Sequence, residues 1–425
     1  MRTKLCRFGV VCFISIFVLV AHGHAGDGAL SLEERLQKLQ SLIEMQQQQL
    51  DRQAQELTQL KEQLSDNKQT IAAGSTENKG DDEKNVTSSI SNVNLGLYGH
   101  INKGILYGDN GDDSQFYFVD NMNSQTRLGL KASIDTNYGW KVGGRIEYGI
   151  VSNGSSDVNQ LDNDNATATN FKLRWAEVSF ESQSFGKLSL GKGSSATDGT
   201  AEVDLSGTTV AAYSSIADLA GSFLFYDGTL SSLEIGDVNS NFDGLGRTDR
   251  LRYDTISFGG FSIAGSVSSG KGYDGSVNFS RKYGETKVAA ALGVADSGDL
   301  IPGVDAVYSG SASVLFPVGF NVTVSAGYED LADSARDNPF NWYAKLGYKT
   351  KFYEAASTAF SIDYSETTDL EENGDTAISI GLAAVHNVTD WGTELYIVYR
   401  LHQLETALTD YNDIHAVMTG ARVKF

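Results

Sequence analysis

From Val93 to the end of the chain, side chains alternate between two kinds with a period of two, and no other feature constrains the fold as strongly. Phe320-Asn-Val-Thr-Val-Ser-Ala-Gly-Tyr328 sets aromatic and aliphatic residues on one phase and Asn, Thr, Ser and Gly on the other. Phe360–Ser365 and Val417–Phe425 repeat the pattern. Successive side chains of a strand point to opposite faces, so each run reads as a strand with one apolar and one polar face. A soluble β-sandwich alternates in the same way, and the alternation alone does not separate it from a membrane barrel.

Three further features do. The runs number about sixteen, an even count as in bacterial membrane barrels. They start near Leu95, Gln125, Gly139, Asn170, Lys187, Arg247, Phe261, Tyr273, Thr286, Asp305, Phe320, Phe340, Thr358, Asp375, Trp391 and Asp413. Short connections, at Asp135–Gly139, Ser182–Gly186 and Phe316–Gly319, take turns with long acidic ones, at Asp109–Asn121, Ser152–Thr169 and Leu401–Asn412. Barrels with tight periplasmic turns and long outer loops have this rhythm. Aromatic residues gather near strand ends (Tyr138, Trp140, Tyr148, Phe340, Trp342 and Trp391), where amphipathic rings settle at the membrane–water boundary. The predicted fold is an all-β transmembrane barrel of about sixteen antiparallel strands over residues 93–425, preceded by an α-helical coiled coil.

The amino-terminal part obeys different rules. Residues 1–25 read as a signal peptide: Arg2, Lys4 and Arg7 precede an apolar Val10–Val20, and Gly23-His24-Ala25 offers small residues for cleavage. Both cysteines, Cys6 and Cys12, lie inside it, so the mature chain is expected to form no disulfide. Residues 26–92 contain no Trp, Tyr, Phe or Pro. Over 26–73, Leu32, Leu36, Leu39, Ile43, Gln46, Leu50, Gln53, Leu57, Leu60, Leu64, Asn67 and Ile71 recur at spacings of four and three, the seam of a left-handed coiled coil. A lone amphipathic helix is the alternative, but nearly six sustained heptads favour self-association. Residues 74–92 form a polar linker. No apolar stretch beyond the first 25 residues is long enough for a membrane-spanning helix. The net charge of −21 argues against a nucleic-acid partner, which would need a basic face.

At this point residues 93–425 resemble the Gram-negative general porins. The resemblance rests on Leu97-Tyr-Gly-His100, Ser124-Gln-Thr-Arg-Leu-Gly-Leu-Lys131, Phe185-Gly-Lys-Leu-Ser-Leu-Gly-Lys192, Arg250-Leu-Arg-Tyr-Asp254 and the terminal Phe425, in that order and spacing. It implies a homotrimer of sixteen-stranded barrels among outer-membrane lipids and lipopolysaccharide, with a third loop folded into each pore. It also implies that Phe425 is an assembly signal read by the barrel assembly machinery. The long heptad segment looks like that of variants with a coiled coil in the periplasm.

The residues themselves point to the same pore. If the first strand runs outward, the third outer loop extends over about 193–246, far longer than a hairpin needs. It carries Asp198, Glu202, Asp204 and Asp218 among eight carboxylates, with no lysine or arginine between Gly193 and Gly246. Alternation turns Arg127, Lys131, Arg145, Arg250 and Arg252 toward the lumen, because an arginine facing lipid at mid-bilayer costs about 2–4 kcal/mol. A bulge near Trp175-Ala176 would bring Lys172 and Arg174 to the same side. An acidic loop facing a basic wall would set a transverse field across the narrowest section. The plain alternative is that these charges only solvate an aqueous lumen.

Catalytic motifs are missing: there is no Gly-x-Ser-x-Gly, no phosphate-binding loop and no His-Glu-x-x-His. His100, His386, His402 and His415 lack neighbours at metal-ligand spacing, and neither a metal nor a cofactor is expected. The expected function is passive diffusion of small hydrophilic solutes and ions through a water-filled outer-membrane channel. Two alternatives stand beside it: a channel selective for small carboxylated or phosphorylated nutrients, and a structural tether or adhesin with a closed barrel.

Overall fold

The structure, a computed structural model, describes residues 93–332, 335–353 and 356–425. The signal peptide, heptad segment and linker lie outside the described residues. The first third of the chain beyond them contributes β1 (Asn94–Asp109), β2 (Ser114–Asp120), β3 (Arg127–Asp135), β4 (Trp140–Ile150), β5 (Phe171–Ser182) and β6 (Gly186–Ser194). Short strands β7 (Leu224–Tyr226) and β8 (Leu230–Glu234) pair only with each other. Then follow β9 (Arg247–Asp254), β10 (Phe261–Ser268), β11 (Tyr273–Tyr283), β12 (Thr286–Asp296), β13 (Val304–Leu315) and β14 (Phe320–Leu331). The chain ends with β15 (Phe340–Tyr353), β16 (Ala356–Thr368), β17 (Thr376–Val388), β18 (Thr393–Glu405) and β19 (Ile414–Lys424).

Apart from β2, β7 and β8, these strands form a closed, sixteen-stranded antiparallel barrel. Closure joins β1 to β19, from His100 opposite Lys424 to Asp109 opposite His415. Every barrel strand starts within two residues of its predicted start. The alternation sorts the wall: along β14, Phe320, Val322 and Val324 are exposed on the outside, while Asn321, Thr323 and Ser325 are buried on the inside. In a closed sheet no edge is left with unpaired backbone groups, which is what lets strands cross lipid. Aromatic rings pair at both rims, Phe320 with Tyr348 and Trp140 with Phe185 near the short turns, Tyr308 with Tyr328 and Trp342 with Tyr364 toward the long loops. The short turns are tight enough to require glycine. Gly319 has φ +95°, and a Cβ there would lie 2.1 Å from the Lys349 carbonyl oxygen.

Two expectations about connections need correction. Residues 109–121 are not a long loop: β2 continues the hairpin from β1, and only 110–113 turn. Likewise β18 runs on to Glu405, shortening the last loop. The bulge in β5 falls at Arg174, between Leu173 opposite Tyr148 and Trp175 opposite Glu147, one residue before the expected place.

The segment 195–246 turns back into the barrel. Its first part is stitched to the inner wall of β10 to β13: Ala196 N–H donates to Ser266 Oγ, Val203 N–H to Ser311 Oγ and Leu205 N–H to Ser313 Oγ, each at 2.9 Å. Its later part carries Phe223, Phe225, Ile235 and Val238, which pack against inward Leu106, Val398 and Met418. An apolar core thus sits inside the barrel, where burial from water favours it by about 25 cal/mol per Å2. One side of the lumen is filled and the other stays open.

Candidate functional site: a charged constriction

Where the loop stops short of β3–β5 and β9, a cavity of about 560 Å3 remains. Arg127, Arg174, Arg247 and Arg422 line it from the wall, and Asp198, Glu202, Thr209, Tyr213, Ser215 and Asp218 from the loop. Local strand phase explains the basic side. Arg127 takes the inward phase next to outward Leu128, and the β5 bulge turns Arg174 inward beside it.

One wall carboxylate organises the arginines. Glu147, whose side chain is fully buried, accepts from Tyr98 Oη at 2.7 Å, Arg145 at 2.6 Å and Arg174 Nε at 2.8 Å, with Arg127 at 4.0 Å. Arg422 is held by Glu394 and donates to Ser124 Oγ at 2.6 Å. Arg127 spends one donor on the Gln125 carbonyl, and Arg247 stands 3.8 Å from Asp198. Arg127 and Arg247 therefore keep guanidinium donors turned to the cavity.

The loop carboxylates crowd one another. Burial, reinforced by Asp218 and Asp198, pushes Glu202 up to about 7. Burial also lifts Asp218 to about 6, although Tyr213 donates a short hydrogen bond to it, and raises Asp243 well above the usual carboxylate range. Asp243 accepts the backbone N–H groups of Gly199 and Ala201 at 2.7 Å each and so braces the loop below Glu202.

The structure thus brings Arg127, Arg174, Asp198, Glu202 and Asp218 of the expected residues together. It places the others elsewhere. Lys131 lies over the Tyr98 ring at 4.5 Å, and Arg145 stacks on Trp175 at 3.9 Å. Arg250 is buried against Glu177 at 2.6 Å, and Arg252 pairs with Asp254 while donating to the Ser195 carbonyl at the loop's root. Asp204 faces away from the arginines and pairs with Lys345 of β15 at 2.6 Å. Arg247, Arg422 and Tyr213 join the site without being among the residues expected there from the sequence. Arg247 directly follows the loop and Arg422 sits on the polar phase of the last run, so phase was a usable signal for both; nothing local marks Tyr213. Phe425 exchanges backbone hydrogen bonds with Gly99 at 3.0 and 3.1 Å, with its ring half exposed at the short-turn rim.

A larger hollow, about 860 Å3, lies on the outward wall around Leu292, Ala326 and Trp342, where acyl chains rather than dissolved solutes would lie. Among the described residues, no group of His, Cys, Asp or Glu is placed to hold a metal ion.

Residues 72–406 match the family described as Gram-negative porin. A comparison with curated proteins finds no match. Among solved structures, the anion-selective porin from Comamonas acidovorans superposes with a TM-score of 0.56 at 18% identity, covering 78% of this chain and 100% of that one. The trimer form of in-vitro folded OmpT, an outer membrane protein of Vibrio cholerae, gives 0.52 at 13%, covering 79% and 100%. Salmonella typhi OmpF, solved with daunomycin, gives 0.51 at 14%, covering 78% and 98%. At these identities the likeness concerns the fold.

Proposed function

The chain belongs to the Gram-negative porin family and is an outer-membrane porin channel, and on that premise we propose that its solute path runs through the cavity between the loop and the arginine wall. The observation that supports this most is the cavity itself: charges of opposite sign face each other across open space inside a closed barrel. Small hydrophilic solutes and ions would diffuse through it, oriented by the transverse field, without chemistry or energy coupling. Three copies side by side would form the working unit among outer-membrane lipids and lipopolysaccharide, with residues 26–73 as a coiled coil in the periplasm. Phe425 would serve as the signal read by the assembly machinery.

A preference for carboxylated or phosphorylated solutes is a second reading, favoured by the uncommitted donors of Arg127 and Arg247. Planar-bilayer recording of the purified mature protein tests both. Stepwise conductance is expected, with inorganic phosphate slowing the chloride current. A protein that inserts and never conducts would instead be a tether or adhesin with a closed barrel.

A further inference from the structure

Strands β2 and β3 follow one line along β1, but the line is broken. Asp120 pairs with Lys103, and Arg127 pairs with His100. Six residues, Asn121–Thr126, therefore stand opposite only Ile101 and Asn102 of β1. An ordinary bulge sets two residues against one, so this is a much larger insertion into the wall. It goes inward: Met122, Asn123, Ser124 and Gln125 all line the constriction cavity.

The insertion is built rather than loose. Asn121 caps a single 3-10 turn over Met122–Ser124, its side chain accepting the Asn123 N–H at 3.0 Å. Asn102 Nδ2 donates to the Ser124 carbonyl at 2.9 Å, and Asn102 N–H to Thr126 Oγ1 at 3.0 Å. His100 Nε2 lies 2.9 Å from the Gln125 carbonyl oxygen, and Arg422 grips Ser124 Oγ. The facing strand leaves space for it, since a Cβ at Gly149 would fall 1.8 Å from Gln125 Nε2. The insertion also holds the loop: Asn121 Nδ2 donates to the Val210 carbonyl at 2.7 Å and Asn123 Nδ2 to the Ala211 carbonyl at 3.0 Å. At the next residue, Lys345 donates to the Ala212 carbonyl at 2.6 Å. The loop is thus a strap tied at adjacent residues to two walls.

We propose that Asn121–Thr126 is a second constriction element, in which Met122–Gln125 set the width and polar character of the pore from the wall side and Asn121 and Asn123 fix the loop opposite. This rests on the channel reading above. A solute passing Arg127 would meet the amides and hydroxyl of the insertion on one side and loop carboxylates on the other. The insertion would therefore admit groups that hydrogen-bond and exclude bulky ones by size.

Two measurements on the full mature chain test it. In the first, Asn121–Thr126 is replaced by Ala-Ala so that β2 and β3 run on in register. Single-channel conductance should rise by roughly 1.5-fold or more, and liposome swelling should extend to larger sugars. In the second, Met122→Cys supplies a single thiol, because the native cysteines are confined to Cys6 and Cys12. A bulky thiol reagent should then cut conductance by about a third or more, reversibly with reductant. Quantitative labelling without a change in current, or no labelling from either side of the bilayer, would overturn the proposal even if the shortened variant does not assemble. A wild-type protein that fails to conduct would sink the channel reading instead, whereas a conducting wild type with unresponsive variants sinks only the insertion's role.

Discussion

Strands β13–β18 and the set β3–β5 with β9 present the same alternating pattern to the interior, yet the arginines that line the cavity in the second set meet circumstances opposite to those of the charges in the first. Under the loop, Lys345 is fully buried and matched by Asp204, and buried Arg400 lies 2.8 Å from Asp363. His402 is sealed in against Ser379. Across the lumen, Arg127 and Arg247 remain partly exposed, and their carboxylates stand 4.0 and 3.8 Å away. Burial explains the difference. An ion taken out of water must be neutralised close by, while one facing water can stay unmatched and act on what passes. The covered half therefore stores its charges as fasteners; the open half buries some as well, Arg250 with Glu177 and Glu147 with Arg174, but leaves Arg127 and Arg247 to act as field.

The largest effect should come from breaking a fastener. Lys345→Met strands the buried Asp204 carboxylate, and losing one member of a buried pair costs about 3–5 kcal/mol. Denaturant unfolding of the detergent-solubilised protein should show that loss, and Asp204→Leu in the same chain should recover most of it. A Lys345→Met protein as stable as the wild type would erase the distinction between the two halves.

The open half should respond in selectivity. Replacing Arg127 and Arg247 by Gln should raise the cation-to-anion permeability ratio about threefold or more, read as a shift in reversal potential, with little change in unfolding. Asn or Gln at Asp198, Glu202 and Asp218 should shift it the other way. Both shifts should shrink at 1 M salt, where the Debye length falls to about 3 Å. If Asp204→Asn moved selectivity as much as these do, the comparison would need redrawing.

A smaller effect should follow pH. Glu202 at about 7 and Asp218 at about 6 are raised by burial, so they take up protons as pH falls through that window while the arginines stay charged. The loop side loses negative charge, and reversal potential should drift toward anions between pH 8 and 5, over a range set by those two values. Glu202→Gln should remove the upper part of the drift. The stability sign is opposite to that of an ordinary ion-paired carboxylate. Both groups favour the fold most when protonated, and that contribution is lost as pH rises through their raised values.

Much of this was legible beforehand, and the failures have a common origin. The β5 bulge could be expected because Leu173 and Val178 cannot both face outward on an unbroken strand. The acidic turn between β1 and β2 has the composition of a loop and masks the hairpin that continues past it. Asp204 shares one acidic stretch with Asp198 and Glu202, which suggests a common role, but its partner Lys345 is 141 residues away. Ser309, Ser311 and Ser313 read only as a polar phase, although they are where the loop is stitched down.

The strand count, the strand starts and which phase faces lipid were determined by the sequence alone. They follow from a two-residue period that any short stretch reveals, because water on one side and hydrocarbon on the other sort neighbouring side chains locally. Which inward residues stay wet was decided by the tertiary structure. That depends on where 195–246 comes to rest, and so on contacts such as Asn123 with Ala211 and Phe223 with Leu106 that no local pattern encodes. Partners on opposite walls of a barrel are set by its closure and shear, so the pairing of charges across the lumen is a property of the closed cylinder and not of any strand within it.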